Sequence, residues 1–395
     1  MRTNYKYTIY SCYTGYIVQA VINNINPIFF IIYQKQLGIS LEKIGLLIAV
    51  NFGVQILVDF LSARYVDRIG YRKSMVFAHI FSALGIMGVG ILPQILPSAF
   101  AGLLLATICN GIGGGLLEVM VSPIVEAAPS GEKEKAMSIL HSFYCWGCIA
   151  FIALSTITLH FIGNDRWYLI PVAWALLPFI NGFLFTVVPI NRLVEDGERL
   201  PARQLFRKKS FWLFVLLMIC AGASEMGMSQ WASYFAETGL HISKTWGDLF
   251  GACFFCLLMG LSRAFYGKKG DKIDLYRFMC GSCILCIIGY LLAVFAPSAV
   301  IGLIGCGICG LSVGILWPGT FSQAAGDCRE GGTAMFAFLA LAGDIGCMSG
   351  PELVNLGSGL LPEIGLKAGL FLAIIFPVVM LFTMRCIIKD KNESR

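Results

Sequence analysis

The feature that most constrains this chain is an apolar run repeated along its whole length, each copy long enough to cross a membrane and each broken off by charge. A helix rises about 1.5 Å per residue, so about 20 mainly apolar residues span a hydrocarbon layer about 30 Å thick. Twelve such runs can be read, at 8–33, 43–63, 74–93, 98–125, 136–161, 167–189, 211–236, 246–266, 276–295, 298–324, 333–359 and 364–388. Charged residues make up 13% of the 395 residues and hydrophobic ones 57%, whereas soluble domains carry about 25% charge. A globule with so little charge lacks the polar surface to stay in water. The sequence therefore predicts an all-α, multi-pass membrane protein and excludes a soluble enzyme.

The formal net charge of +6 does not point to nucleic acid, because the basic residues punctuate the apolar runs instead of clustering in a hydrophilic region. Read as topology signals, they place both termini in the cytoplasm. All of the 29 Lys and Arg then lie on the inner side except Lys35, Lys43, Arg166, Lys244 and Lys367. Such an asymmetry also requires an even number of spans. The first run is too long for a secretory h-region, contains Asn23, Asn24 and Asn26, and lacks a small-residue cleavage site, so it reads as a retained first helix. The 15 cysteines sit mostly inside apolar stretches. Cys253 and Cys256, like Cys280 and Cys283, have C-x-x-C spacing, but no His or charged neighbour completes a metal or redox site. No metal and no cofactor is expected.

The longest hydrophilic stretch, NRLVEDGERLPARQLFRKKS, divides the chain. The expected organisation is an N-terminal six-helix bundle at 1–189, a cytoplasmic central loop at 190–210 and a C-terminal six-helix bundle at 211–395. Each half carries a basic inner segment after its second span, LSARYVDRIGYRK at 61–73 and LSRAFYGKKGDKIDLYR at 261–277. Matching punctuation in two halves predicts an internal duplication.

The first of these segments resembles the G-x-x-x-D-R-x-G-R-R loop between helices 2 and 3 of the major facilitator superfamily. Asp67, Arg68, Gly70, Arg72 and Lys73 match, while Ala63 and Tyr71 replace the opening Gly and one Arg. Gly70 permits a tight turn and Asp67 can accept hydrogen bonds from an Arg or a helix N-terminus. The expectation is a conformational latch of Asp59, Asp67, Arg68, Gly70 and Arg72, echoed in the second half by Arg263 and Asp271 around Gly267. The resemblance covers essentially the whole chain and implies two pseudo-symmetric bundles in the major facilitator fold.

A narrower resemblance is to the fucose–proton symporter family. Asn23, Asn24 and Asn26 are similar to that family's Asn-Asn-x-Asn-Asp run in helix 1. Leu117, Glu118 and Pro123 are similar to its helix 4 pattern, and His141 falls near its sugar-contacting helix 5 Gln. GASEMGMSQW in helix 7 and WPGTFS in helix 10 also resemble it. Pro27 stands where the family has an aspartate. A proline cannot titrate, so the resemblance by itself carries over neither fucose as the substrate nor that aspartate's proton route, and both stay open.

The side chains themselves point to transport chemistry. A charged group in the middle of a span costs about 2.5–3.5 kcal/mol on insertion scales and persists where it meets a cavity or a partner. Glu118, Glu225 and Asp344 lie deep in helices 4, 7 and 11 and are the expected proton-coupling groups, Glu118 foremost. It follows what reads as a Gly-rich turn, Gly113 to Gly115, that permits close approach. Asn23, Asn24 and Asn26 offer amides to substrate hydroxyls. Asn23 and Asn26 share a helix face and Asn24 points elsewhere, with Pro27 set to kink the helix. His141, Tyr144, Trp146, Gln230, Trp231 and Trp317 complete the expected substrate-binding set. The Gly-rich run at 302–314 lies inside an apolar span with no preceding strand, so it reads as close helix packing and not as a phosphate loop.

The expected function is a secondary transporter in which two bundles rock about a midplane site. It carries a small polar solute, with a sugar as the leading candidate, in symport with protons. The expected partners are that solute, protons and membrane lipid, with no nucleic acid and a monomeric state. The alternative is an exporter of amphipathic or drug-like compounds, suggested by Met218, Met226 and Met228 beside Glu225. A transporter-like receptor is a further alternative that the short loops disfavour.

Overall fold

The computed structural model describes residues 5–126, 128–129, 133–191, 205–269, 273–327 and 332–393. Within its helices, the side chains at 63–64, 67–68, 123, 126, 133–138, 325–326, 332–334, 336–337 and 388–393 lie outside the described set. The backbone is helical. In chain order the long helices are α1 (Tyr5–Leu37), α2 (Leu41–Ile69), α3 (Tyr71–Ile95), α4 (Ala99–Glu126), α5 (Lys133–Ile162) and α6 (Leu169–Val187). The second six are α7 (Lys209–Gly239), α8 (Lys244–Lys269), α9 (Leu275–Val294), α10 (Ala299–Ala324), α11 (Gly332–Leu360) and α12 (Leu366–Ile387). Among the described residues, 11 of these are long and apolar enough to cross a membrane. The remaining helix, α11, is 29 residues long and carries Asp344. Helices satisfy their own backbone groups, which is what hydrocarbon demands of any segment that crosses it.

The helix ends follow local chemistry. The Ser40 hydroxyl accepts from the Lys43 amide at the start of α2, and the Asp274 carboxylate accepts from the Arg277 amide at the start of α9. Gly70 is the whole connection between α2 and α3. Its φ of 93° is open to glycine and strained for any L side chain. The segment 61–69, expected as a loop, is therefore the last part of α2. Likewise 261–269 belongs to α8 and not to a loop. The first stretch contains no Gly or Pro before Gly70 ends it, and in the second the helix continues through Gly267 to Lys269.

The chain divides into two compact units, Met1–Glu195 and Asp196–Arg395. Each repeats the same pairing of helices. In the first, α1 packs on α5, α2 on α4, and α3 on α4 and α6. In the second, α7 packs on α11, α8 on α10, and α9 on α10 and α12. The repeat extends to sequence: α4 and α10 open on the same Pro-Ser-Ala-x-x-Gly-Leu pattern from Pro97 and Pro297. In each the serine side chain caps the helix, Ser98 to the Ala101 amide and Ser298 to the Ile301 amide.

Small residues let the paired backbones close up. A Cβ on Gly111 would sit 2.8 Å from the Asn51 carbonyl oxygen, and one on Gly115 3.1 Å from the Gln55 carbonyl, so α4 lies directly on α2. Gly310 and Gly314 hold the matching positions on α10, 2.2 Å and 2.8 Å from the Phe255 and Met259 carbonyls of α8. The Gly-rich run at 302–314 is helix packing, as its sequence context indicates. Gly113 to Gly115, expected as a turn, are continuous helix: Gly113 faces Ser82 of α3, Gly114 faces Gln19 and Gln55, and Gly115 faces α2. Large apolar residues such as Phe161, Phe179, Phe183 and Leu176 remain exposed on the first unit, as a lipid-facing surface requires.

Candidate functional site

In the first unit, four helices bring buried amides together with a half-buried carboxylate, Glu118. Polar residues at helical spacing generate it: Gln19 and Asn23 on α1, Asn51 and Gln55 on α2, each pair four residues apart and so on one face. Gln19 Nε2 donates to Gln55 Oε1 at 2.8 Å and to Glu118 Oε2 of α4 at 3.3 Å. Gln55 Nε2 and Asn51 Nδ2 both donate to Asn23 Oδ1, at 3.3 and 3.2 Å. Asn23 Nδ2 donates to the Tyr144 hydroxyl of α5 at 3.4 Å. All four amides are buried. One turn away, Tyr16 shares a hydrogen bond with Ser122 at 3.1 Å, and its ring lies against His141 with centroids 5.2 Å apart. Tyr13 and Phe143 stack beyond it at 4.5 Å.

Of the expected site residues, Asn23, Glu118, Tyr144 and His141 thus meet in this region. Asn24 and Asn26 do not join the cluster. Asn24 bonds the Ala20 carbonyl and Cys148 Sγ, while Asn26 bonds Thr107 of α4 and accepts from Tyr33. Both brace α1 against its neighbours. Pro27 lies inside an uninterrupted helix and supplies no N–H to the Asn23 carbonyl four residues back. Trp146 is 42% exposed, unlike the buried amides of the cluster. Gln19, Asn51 and Gln55 were not singled out from the sequence. Their signal was there, as amides at fourfold spacing within otherwise apolar spans.

In the second unit the acidic residues are held differently. Glu225 of α7 is buried and pairs with Arg263 of α8, Oε2 to NH2 at 3.2 Å. Arg263 Nε also donates to the Gly314 carbonyl of α10 at 3.3 Å. The sequence explains that second bond. Helix geometry would give the Gly314 carbonyl the amide of residue 318, but that residue is Pro318 and has no N–H. α10 is irregular at Gly314 and Ile315, and the helical bond from the Gly319 amide to the Ile315 carbonyl follows directly. Arg263 thus ties three helices together inside the unit, where a cytoplasmic latch position was expected for it. Asp344 is buried on α11 beside Gly343, and the Trp317 ring edge lies on Gly343 where a side chain would otherwise stand. Trp231, expected to stack on substrate, is fully buried and donates its indole N–H to the Pro351 carbonyl, a packing position. Gln230 Nε2 lies 3.7 Å from Met226 Sδ.

Among the other expected latch residues, Arg72 donates to the Phe185 and Val188 carbonyls at 2.7 Å each, which places its cation on the C-terminus of α6. Asp59 is buried on α2, two turns beyond Asn51. Asp67 and Arg68 have side chains outside the described residues, and Asp271 lies wholly outside them. A group that the sequence did not flag stands at the α7–α8 end of the second unit, where buried Asp248 accepts from Ser233 and pairs with Lys244 at 3.1 Å. Among the described residues, no cluster of His, Cys, Asp and Glu has the makings of a metal site.

The sequence profile described as Major Facilitator Superfamily matches residues 12–351. The chain belongs to the major facilitator superfamily. It is a multi-pass membrane transporter of that superfamily, with the twelve-helix, two-bundle fold. Among curated proteins it is similar to membrane protein MosC of Rhizobium meliloti, 23% identical over 80% of this chain and 77% of the relative. It is also similar to a multi-drug resistance efflux pump PmrA homolog of Lactococcus lactis subsp. lactis (strain IL1403), 22% identical over 95% of this chain and 93% of the relative. Its fold resembles the fucose:proton symporter FucP of E. coli, with a TM-score of 0.69 and 14% identity over 96% of this chain and 98% of that one. A bacterial homologue of the human lysosomal transporter Spinster matches with a TM-score of 0.74 and 14% identity, over 98% of this chain and 97% of that one.

Proposed function

We propose that this major facilitator transporter carries a small polar solute, a sugar being the first candidate, in symport with protons by alternating access. The observation that supports this most directly is the buried cluster of Gln19, Asn23, Asn51 and Gln55 on the Glu118 carboxylate. Amides that donate and accept suit hydroxyl groups, and they are costly to bury without a purpose in a lipid-embedded bundle. Glu118 is the proposed proton carrier. An ionised carboxylate accepts from Gln19, whereas a protonated one is neutral and donates, so each proton gained or lost rewrites the polar contacts of the site. Glu225 is held by Arg263, which makes a charge-balanced brace its better role. Asp344 remains a second candidate for coupling. The basic inner segments support insertion in the cytoplasmic membrane with both termini inside, and the protein is proposed to act as a monomer.

The test is uptake of radiolabelled sugars into proteoliposomes with an imposed inward proton gradient. Accumulation driven by the gradient, and lost in Glu118→Gln while solute exchange without the gradient persists, is the expected result. Uptake indifferent to the gradient and unchanged in Glu118→Gln removes the proton claim.

The export reading draws on the efflux pump that resembles this chain. Its sequence support weakens in the structure. Met218 and Met228 are fully buried and Met226 nearly so, as packing residues of α7 and not as the flexible lining of a drug cavity. Resistance conferred on expressing cells, with no sugar uptake, favours export.

A further inference from the structure

The amides around Glu118 run in one direction. An ionised carboxylate only accepts, so Gln19 turns Nε2 toward Glu118 Oε2. The same Nε2 bonds Gln55 Oε1, which leaves Gln55 Nε2 for Asn23 Oδ1, and Asn51 Nδ2 bonds that same oxygen. Every amide in the chain spends its nitrogen within the cluster, and the groups left over are oxygens. Gln19 Oε1 and Asn51 Oδ1 are both buried without a hydrogen bond, on residues 3% and 5% exposed. Most buried acceptors in proteins are paired. Asn110 and Asn181 also leave an amide oxygen unbonded, but two such oxygens in one hydrogen-bonded cluster beside a carboxylate are the pair that could receive the same ligand. Beside them, Gly114 presents no side chain. A Cβ there would stand 3.1 Å from Gln19 Oε1 and 3.0 Å from Gln55 Oε1.

We infer that Gln19 and Asn51 are the specificity-determining acceptors of this site, and that they take a ligand rich in hydrogen-bond donors, a polyol or amino-polyol. The inference rests on the polar-solute reading proposed above and sharpens it. An anion or an acceptor-only compound would face oxygen with oxygen and be rejected, whereas hydroxyl or ammonium hydrogens complete both orphaned amides.

The experiment is a thermal-shift titration of the purified full-length protein in lipid nanodiscs with three probes: myo-inositol, D-glucosamine and succinate. A ligand that binds the folded state raises its melting temperature. Wild type is expected to respond to myo-inositol or D-glucosamine and not to succinate. Gln19→Leu and Asn51→Leu remove the oxygens and are expected to weaken the apparent affinity at least tenfold. Asn51→Asp keeps an acceptor oxygen but replaces the Nδ2 donor to Asn23 with a second acceptor, so it is expected to retain a response to the cationic D-glucosamine and to lose that to myo-inositol. Gly114→Ala removes no polar group but sets a Cβ 3.1 Å and 3.0 Å from the Gln19 and Gln55 oxygens, and is expected to weaken binding by displacing them, which guards against a leucine variant that misfolds. Affinities in Gln19→Leu, Asn51→Leu and Gly114→Ala within twofold of wild type overturn the inference and leave the polar-solute reading standing. A wild-type protein that responds to succinate alone, or to none of the three, overturns both.

Discussion

Removing the Arg263 guanidinium while keeping its apolar stem, as in Arg263→Met, should destabilise the second unit far more than any exposed basic substitution. The charged atoms of Arg263 and Glu225 are 3.2 Å apart, with side chains 13% and 6% exposed. At an effective dielectric constant of about 20, Coulomb attraction at that separation is about 5 kcal/mol. Desolvation of both groups offsets most of it, so the pair's net worth is small. Deleting one partner strands the other charge and costs about 3–5 kcal/mol. The bond to the Gly314 carbonyl, which Pro318 leaves without its helical donor, adds about 0.6 kcal/mol on the scale measured between membrane helices. The ionic part therefore dominates. Arg263→Met and Glu225→Gln should each lose about 3–5 kcal/mol, while the double variant should fall short of their sum by about 2–4 kcal/mol. Arg263→Lys should recover part of the loss, because an ammonium can meet Glu225 but lacks the fork that reaches two acceptors. Unfolding free energies of the four proteins in matched lipid, combined as a double-mutant cycle, give the coupling directly. Additivity within about 0.5 kcal/mol would show that the two charges do not depend on each other and refute the reasoning.

Two further predictions concern packing and topology. Gly346→Ala places a Cβ 2.0 Å from the Ile219 carbonyl oxygen at the α7–α11 contact and should cost about 1–3 kcal/mol. Gly281→Ala on α9 meets nothing within 4 Å and should instead stabilise by about 0.5–1 kcal/mol through helix propensity. Melting temperatures of the two variants should move in opposite directions, and a shared direction contradicts the close-packing account. A fluorescent protein fused after Arg395 should fold and glow in the cytoplasm, whereas a periplasmic phosphatase at the same place should stay inactive. The opposite pair of results reverses the orientation drawn from the basic residues.

Much of the site was legible in the sequence as residue type without partner. Asn23, Glu118 and Tyr144 stood out because polar groups are rare in apolar spans, and the structure brings them together. Asn24 and Asn26 stood out for the same reason and are braces. Periodicity puts a residue on a face but does not say which neighbour that face will meet. Arg263 looked like a loop residue because its segment is basic, yet the helix continues through it and turns the guanidinium toward Glu225.

The sequence by itself determined the class of solvent this protein folds in, the number of its helices, their internal duplication and the superfamily, because hydropathy, chain length and backbone hydrogen bonding are local quantities summed along a chain. The tertiary structure alone decided which buried polar groups meet. It joined Gln19 to Glu118 across 99 positions and Glu225 to Arg263 across 38. Such pairings depend on how closely glycine lets one helix approach another and on how each is rotated about its axis. Both are fixed by packing many residues at once, which no short stretch of sequence contains.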